Sequence, residues 1–136
     1  MKMSNALVTS SRNQLGNARN AFQGEAKRVL CVCSAGLLRS PSLAMVLNQD
    51  RGYNTRACGT SSEYALIPIS QALVHWADEI VFVNEENYRR VCYDEGFIKY
   101  SKGRTIKVMS IPDAFEYGEA ELLEIIRKEY PTAEEM

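Results

Sequence analysis

The sequence predicts an α/β fold, a three-layer sandwich in which helices cover both faces of a four-stranded parallel sheet. Two observations support this prediction. Strand-like and helix-like segments alternate about four times along the chain, which is typical of parallel strands joined by helical crossovers. The first of these strands, within residues 27–33, is a continuous apolar run without alternation, as expected of a strand that is buried on both faces.

The first half of the domain contains two predicted strands and the helix between them. Residues 27–33 form the first strand. The helix that follows begins at Ser40-Pro41, because serine is a preferred N-cap residue and proline is tolerated at the first helical position. Its apolar residues share one face, and Gly52 ends it. Residues 53–58 form the second strand.

The second half repeats the pattern. The predicted elements are a helix over 68–77, a strand over 80–83, a helix over 85–95 that ends at Gly96, a strand over 105–109 and a helix over 119–130. Leu73 and Trp76 would face the core from the helix over 68–77, whereas His75 would be exposed. The last helix carries leucine and isoleucine at helical spacing, which predicts a closing amphipathic helix.

Size and composition indicate a single globular domain. It is preceded by a segment whose role the sequence does not define. The chain has 136 residues, of which 46% are hydrophobic and 24% charged, and its net charge is −1. Residues 1–26 are polar and rich in Ser, Asn and Gln, and we interpret them as a lead-in helix or a loose arm, used for a dimer contact or for docking a partner. Residues 27–136 form the domain. We expect a monomer or a weak dimer.

The charge balance gives no sign of nucleic acid or an anionic membrane as a bulk partner, so any anion binding must be local. No apolar run approaches the roughly 18 residues of a membrane span. The first residues lack the basic-then-apolar order of a signal peptide. These features predict a cytoplasmic protein.

The four cysteines are predicted to be free thiols. Cys31, Cys33, Cys58 and Cys92 lie in a chain without secretion signals, where a disulfide framework is not expected. A zinc site is not expected either, because Cys31 and Cys33 are one residue apart and the chain has one histidine. We interpret Cys31 as a packing residue of the core, and we predict neither a metal ion nor another cofactor.

The loop after the first strand carries the pattern Cys-x5-Arg-Ser, with Cys33 at one end and Arg39 at the other. In parallel sheets, ligands bind beyond the carboxyl ends of the strands. Loop amides and a helix N-terminus favour a phosphate there, and the same groups favour a cysteine thiolate, the reactive form. Arg39 would grip two phosphoryl oxygens with its planar guanidinium. The predicted phosphate-binding residues are Ser34, Ala35, Gly36, Leu37, Leu38 and Ser40. Ser40 is also placed to donate to the thiolate or to cap the helix.

The stretch from Cys33 to Pro41 resembles the signature loop of the low-molecular-weight protein tyrosine phosphatases. More narrowly, the chain resembles a branch of short bacterial and phage-like predicted tyrosine phosphatases. The resemblance covers about residues 27–128 and continues, in order, through Gly59-Thr60-Ser61, Trp76-Ala77-Asp78 and Ile111-Pro112-Asp113. It implies a flavodoxin-like fold of the low-molecular-weight phosphatase type and a phosphatase domain over 27–136. The implied substrate is a phosphotyrosine protein or a small phosphomonoester, and the implied inhibitors are phosphate- and vanadate-type anions.

The resemblance also implies a two-step mechanism. Cys33 would attack phosphorus and form a phosphocysteine, while an aspartic acid protonates the leaving oxygen and then activates water. By position Asp113 is that acid, since it follows the fourth strand, and Glu116 is the alternative. No metal is needed, because Arg39 and the loop amides stabilise the developing charge. Phe115 and Tyr117 would line the pocket for an aromatic substrate, and Tyr64 would stand at its mouth.

The chain departs from the family at three positions. Gly36 stands where the family usually has an asparagine braced by a histidine. Leu38 stands where a second cysteine often protects the nucleophile. Pro112 precedes Asp113, whereas in the family the acid is normally followed by proline.

Three other functions stay open at the level of sequence. The Val-Cys-Ser-Ala-Gly stretch also resembles the phosphocysteine-carrying B domain of a sugar phosphotransferase system, but that domain normally lacks an arginine at the position of Arg39 and requires no acid like Asp113. Arsenate reduction on the same fold needs two further thiols, for which Cys92 is the sole candidate after the third strand. A phosphate- or phosphopeptide-binding module of low catalytic activity is the last alternative.

Overall fold

A computed structural model describes residues 26–34, 39–61, 63, 65–112 and 118–136. The predicted arm over 1–26 lies outside these residues except for its last one. Within the described part of the chain, no helix is both long and apolar enough to cross a membrane.

The centre of the domain is a five-stranded sheet with the strand order β2-β1-β3-β4-β5. The strands are β1 (Arg28–Cys33), β2 (Asn54–Gly59), β3 (Glu79–Phe82), β4 (Thr105–Val108) and β5 (Glu134–Glu135). The first four are mutually parallel, as predicted, and β5 pairs antiparallel with β4. The prediction of four strands missed β5 because two exposed glutamates give no apolar signal. The parallel order 2-1-3-4 defines a flavodoxin-like α/β fold.

Five α-helices connect and cover the described strands: α1 (Arg39–Arg51), α2 (Gln71–Trp76), α3 (Glu85–Val91), α4 (Glu95–Tyr100) and α5 (Ala120–Glu129). Helix α1 ends as predicted at Gly52, whose φ of 70° lies in the left-handed region that favours glycine. Helix α2 begins later than predicted, because Ser70 is its N-cap and accepts the N–H of Leu73.

The prediction of a single helix over 85–95 is wrong. The chain forms α3, turns, and starts α4 at Glu95, so that Gly96 lies in the first turn of a helix and does not end one. The cause is Asp94, whose carboxylate accepts the N–H of Phe97 at 3.2 Å and caps the new helix. Phe97 is then buried against the sheet.

Two apolar layers pack on opposite faces of the sheet, which confirms the three-layer arrangement. Leu30 and Val32 of β1 join the layer formed with α2 and α4, which includes Leu73 and Phe97, with Trp76 half-buried at its side. The alternate β1 residues Val29, Cys31 and Cys33 join the layer formed with α1 and α5. The side chain of Cys33 is therefore on the α1 side of the sheet.

A buried carboxylate ties the end of the chain to the amino-terminal edge of the sheet. Glu79 is fully buried and accepts a hydrogen bond from the Tyr130 hydroxyl at 2.5 Å. The Lys27 ammonium lies 2.6 Å from the other carboxylate oxygen and forms an ion pair with it. Burial, and then the hydrogen bond to Glu79, raise the pKa of Tyr130. This cluster lies at the edge opposite the carboxyl ends of the strands.

We expect Tyr130→Phe to lower the free energy of unfolding by about 1–3 kcal/mol, because it leaves a buried carboxylate oxygen without its donor. The raised pKa means that the tyrosine's contribution is fully present below the unfolded-state pKa of about 10 and is lost only as the pH rises through the higher folded-state value. Urea unfolding should therefore give the same difference in the free energy of unfolding between wild type and variant at every pH from 6 to 9. Tyr93→Phe, at an exposed position, is the control. An equal loss in both variants would contradict this role.

Candidate active site

The carboxyl ends of β1 and β2 hold the start of the Cys33–Arg39 loop. The carbonyl of Cys33 accepts the N–H of Thr60 at 2.8 Å, and the carbonyl of Ser34 accepts the N–H of Ser61 at 2.9 Å. The predicted loop residues Ala35, Gly36, Leu37 and Leu38 lie outside the described residues. Its two ends, the strand end at Cys33 and the helix start at Arg39, are described.

The thiol of Cys33 faces a serine hydroxyl at the start of α1. Cys33 is 3% exposed, and its Sγ lies 3.0 Å from Ser40 Oγ. Ser40 Oγ also donates to the carbonyl of Cys58 at 3.3 Å. A hydroxyl has one hydrogen to donate, so it serves either the carbonyl or a thiolate, and the charged acceptor gives the stronger bond. The capping role predicted for Ser40 is wrong, because α1 already begins at Arg39.

Two of the remaining thiols belong to the core. Cys31 and Cys58 are fully buried, and burial raises the pKa of both thiols well above the ordinary value. This confirms the packing role predicted for Cys31. Cys92 is half-buried at the end of α3, and its Sγ contacts the carbonyl of Arg89 at 3.7 Å.

Ser40→Ala is expected to slow the alkylation of Cys33 by iodoacetate, measured for both proteins in the same buffer, because the thiolate loses a hydrogen-bond donor. Mass spectrometry of labelled peptides measures the rate at each cysteine. Cys31 and Cys58 serve as internal controls and should stay unlabelled in the folded protein. An unchanged alkylation rate at Cys33 would show that Ser40 does not stabilise the thiolate.

The guanidinium of Arg39 links the loop to the segment after β4. Arg39 is buried, and its Nη1 donates to the carbonyl of Ile111 at 3.0 Å. Ile111 is also buried and comes two residues before Asp113. The sequence pattern predicts Arg39 as a phosphate-binding residue, and it does not reveal this contact with Ile111.

Asp113, Glu116, Phe115 and Tyr117 lie outside the described residues, as does Tyr64. The two flanks of the segment over 113–117 are described. On one side the N–H of Ile111 donates to the carbonyl of Val83, just beyond the end of β3, at 2.9 Å. On the other side the N–H of Gly118 donates to Ser42 Oγ, in the first turn of α1, at 2.9 Å. Both flanks are thus anchored at the edge of the sheet that carries Cys33.

One residue of this region, Asn87, was not predicted from the sequence. Asn87 of α3 is fully buried, and its Nδ2 donates to Ser34 Oγ at 2.9 Å. The sequence feature that could have pointed to Asn87 is its position. It lies one helical turn before Val91, which is buried, on a helix that directly follows a strand.

If Arg39 binds phosphate as predicted, Arg39→Lys is expected to weaken binding of inorganic phosphate by about 10- to 100-fold, because an ammonium is a point charge whereas a guanidinium can donate two parallel hydrogen bonds. Isothermal titration measures the change. Arg104→Lys is a matched control, because the Arg104 guanidinium also binds backbone carbonyls, those of His75 and Ala77. An unchanged affinity in the Arg39 variant would remove Arg39 from the anion site.

The histidine and the acidic residues offer no metal site in the described parts of the chain. No group of three or more His, Cys, Asp or Glu side chains there could hold a metal ion. His75 is exposed on α2, as predicted, and its ring contacts Tyr100 edge to face.

Comparisons with known proteins give a likeness in structure and none in sequence. No protein-family model matches the chain, and no curated protein matches it. A solved structure similar to it is that of a low molecular weight phosphotyrosine phosphatase from Vibrio cholerae O395. The identity is 13% and the TM-score 0.48, over 75% of this chain and 88% of that chain. This likeness carries no conclusion about the function of the chain.

Proposed function

We propose that the chain is a cysteine-dependent phosphomonoester hydrolase that acts on phosphotyrosine in proteins or on a small phosphomonoester. The observation that carries this proposal is the placement of Cys33. Its Sγ lies 3.0 Å from a serine hydroxyl at the N-terminus of α1, at the carboxyl edge of a parallel sheet. Arg39 begins the same helix and completes the Cys-x5-Arg-Ser pattern.

In the first step, the Cys33 thiolate attacks phosphorus, forming an S–P bond as the P–O bond to the leaving group breaks. Asp113, or Glu116 in its place, gives a proton to the leaving oxygen. In the second step the resulting carboxylate takes a proton from water, whose oxygen attacks phosphorus and displaces the Cys33 thiolate. Inorganic phosphate leaves, and the enzyme returns to its first state.

The charge that develops on the phosphoryl oxygens is stabilised by fixed groups of the chain. The Arg39 guanidinium supplies a permanent positive charge, and the 13-residue helix α1 directs its N-terminus toward the loop end. Ser40 is positioned to donate to the thiolate when it leaves phosphorus in the second step. With these groups in place, we expect turnover without an added metal ion.

The proposal is tested by hydrolysis of para-nitrophenyl phosphate from pH 5 to 8 in the presence of EDTA. We expect turnover that vanadate inhibits. A correctly folded protein without turnover would contradict the proposal. A stable phosphocysteine in that inactive protein would instead support the phosphocarrier function.

A further inference from the structure

We propose that Asn87 is a positioning residue that orients Ser34 for anion binding, so that α3 forms part of the phosphate site. The catalytic part of this proposal rests on the proposed function. The part that concerns anion binding is tested by affinity measurements that do not depend on turnover.

The backbone of Asn87 is fixed where β3 passes into α3. Asn84 is the N-cap of α3, and its side-chain oxygen accepts the N–H of Asn87 at 3.0 Å. Just before the cap, the N–H of Val83 donates to the carbonyl of Val32 at 2.9 Å, which holds this turn against the end of β1. The Asn87 side chain therefore projects from a backbone that is anchored beside the start of the loop.

The contact between Asn87 and Ser34 determines how the serine hydroxyl is used. Asn87 Nδ2 donates to Ser34 Oγ, so the bond occupies a lone pair of the hydroxyl and not its hydrogen. The carbonyl of Ser34 is held by the N–H of Ser61. With its carbonyl and one lone pair engaged, Ser34 retains the hydroxyl hydrogen as a donor, the group that a phosphate oxygen requires.

The other end of the Asn87 amide indicates that the residue is not there for packing. Asn87 is fully buried, and its Oδ1 accepts no hydrogen bond from the described residues. A buried acceptor without a partner lowers stability, and an apolar side chain would pack α3 against the sheet without that loss. The contact with Ser34 accounts for an asparagine at this position.

The test measures binding of inorganic phosphate by isothermal titration to the full chain and to Asn87→Ala, Asn87→Asp and Ser34→Ala. We expect about 10-fold weaker binding in Asn87→Ala, which is the effect of one lost hydrogen bond. We expect a larger loss in Asn87→Asp, which keeps the side-chain volume and adds a negative charge beside the anion. The control is Asn48→Ala, since Asn48 Nδ2 donates to the carbonyl of Tyr53 at the same 2.9 Å at the far end of α1. Its phosphate affinity should be unchanged.

A double variant separates positioning from general destabilisation. Asn87→Ala combined with Ser34→Ala should bind phosphate no more weakly than Ser34→Ala alone, because both changes remove the same oriented hydroxyl. Additive losses, or an affinity in Asn87→Ala and Asn87→Asp equal to that of the wild type, would overturn the proposal. If the wild-type chain binds phosphate but hydrolyses no phosphomonoester, the proposed function fails, and these affinities still decide the role of Asn87.

Discussion

Cys33→Ser is expected to reduce phosphomonoester hydrolysis by roughly 10⁴-fold or more while phosphate binding survives. The loss is large because a serine hydroxyl at this position is not ionised and has no base to activate it, so covalent catalysis stops at its first step. Phosphate binding survives because the Arg39 guanidinium and the N-terminus of α1 are unchanged. Turnover of para-nitrophenyl phosphate and phosphate titration measure the two effects on the same sample.

Cys31→Ala is the matched control for this variant. Cys31 lies two residues earlier on the same strand, its side chain is in the same apolar layer, and it is fully buried. We expect it to lower stability through lost packing and to leave turnover near the wild-type value. Retention of most activity in Cys33→Ser would exclude Cys33 as the nucleophile.

Asp113→Ala is expected to lower turnover of phenyl phosphate by about 10²- to 10⁴-fold under conditions where the first step limits the rate. The loss should be much smaller for the first step with para-nitrophenyl phosphate. Phenolate is a poor leaving group that needs a proton as the P–O bond breaks, whereas para-nitrophenolate leaves without one. The release of each phenol in the first turnover measures the difference.

Glu116→Gln provides the comparison, because Glu116 is the other acid in the same segment. Glu116→Gln should leave the difference in first-step rate between phenyl phosphate and para-nitrophenyl phosphate as it is in the wild-type protein. Equal losses on both substrates in Asp113→Ala, together with a selective loss in Glu116→Gln, would assign the acid to Glu116.

The sequence predicted the parallel sheet well because its strands are apolar runs and its helices have clear ends. The continuous run in β1 marks a strand buried on both faces, and Gly52 ends α1 where the φ is positive. The break between α3 and α4 was missed because Gly96 was interpreted as a stop, although Asp94 is the residue that starts a new helix. Strand β5 could not be predicted, since its pairing with β4 comes from the tertiary fold and not from its two glutamates.

The contacts of the site that join residues close to each other in the sequence were predictable. Cys33 and Ser40 are seven residues apart, and their contact follows from a strand, a short loop and a helix. The bond from Arg39 to Ile111 joins residues 72 apart, and the bond from Asn87 to Ser34 joins residues 53 apart. Contacts of this kind depend on which strands become neighbours, so the pattern of residue types alone does not reveal them.

The most direct test of the proposed mechanism is detection of the phosphocysteine itself. In Asp113→Ala, para-nitrophenyl phosphate should still phosphorylate Cys33, but hydrolysis of the intermediate should be slow because water lacks its base. After rapid acid quenching, mass spectrometry is expected to find one phosphoryl group on the peptide that contains Cys33, in an amount matching a burst of para-nitrophenolate. A burst with the phosphoryl group on any other residue, or turnover by the wild-type protein without phosphorylated Cys33 in either protein, would contradict the mechanism.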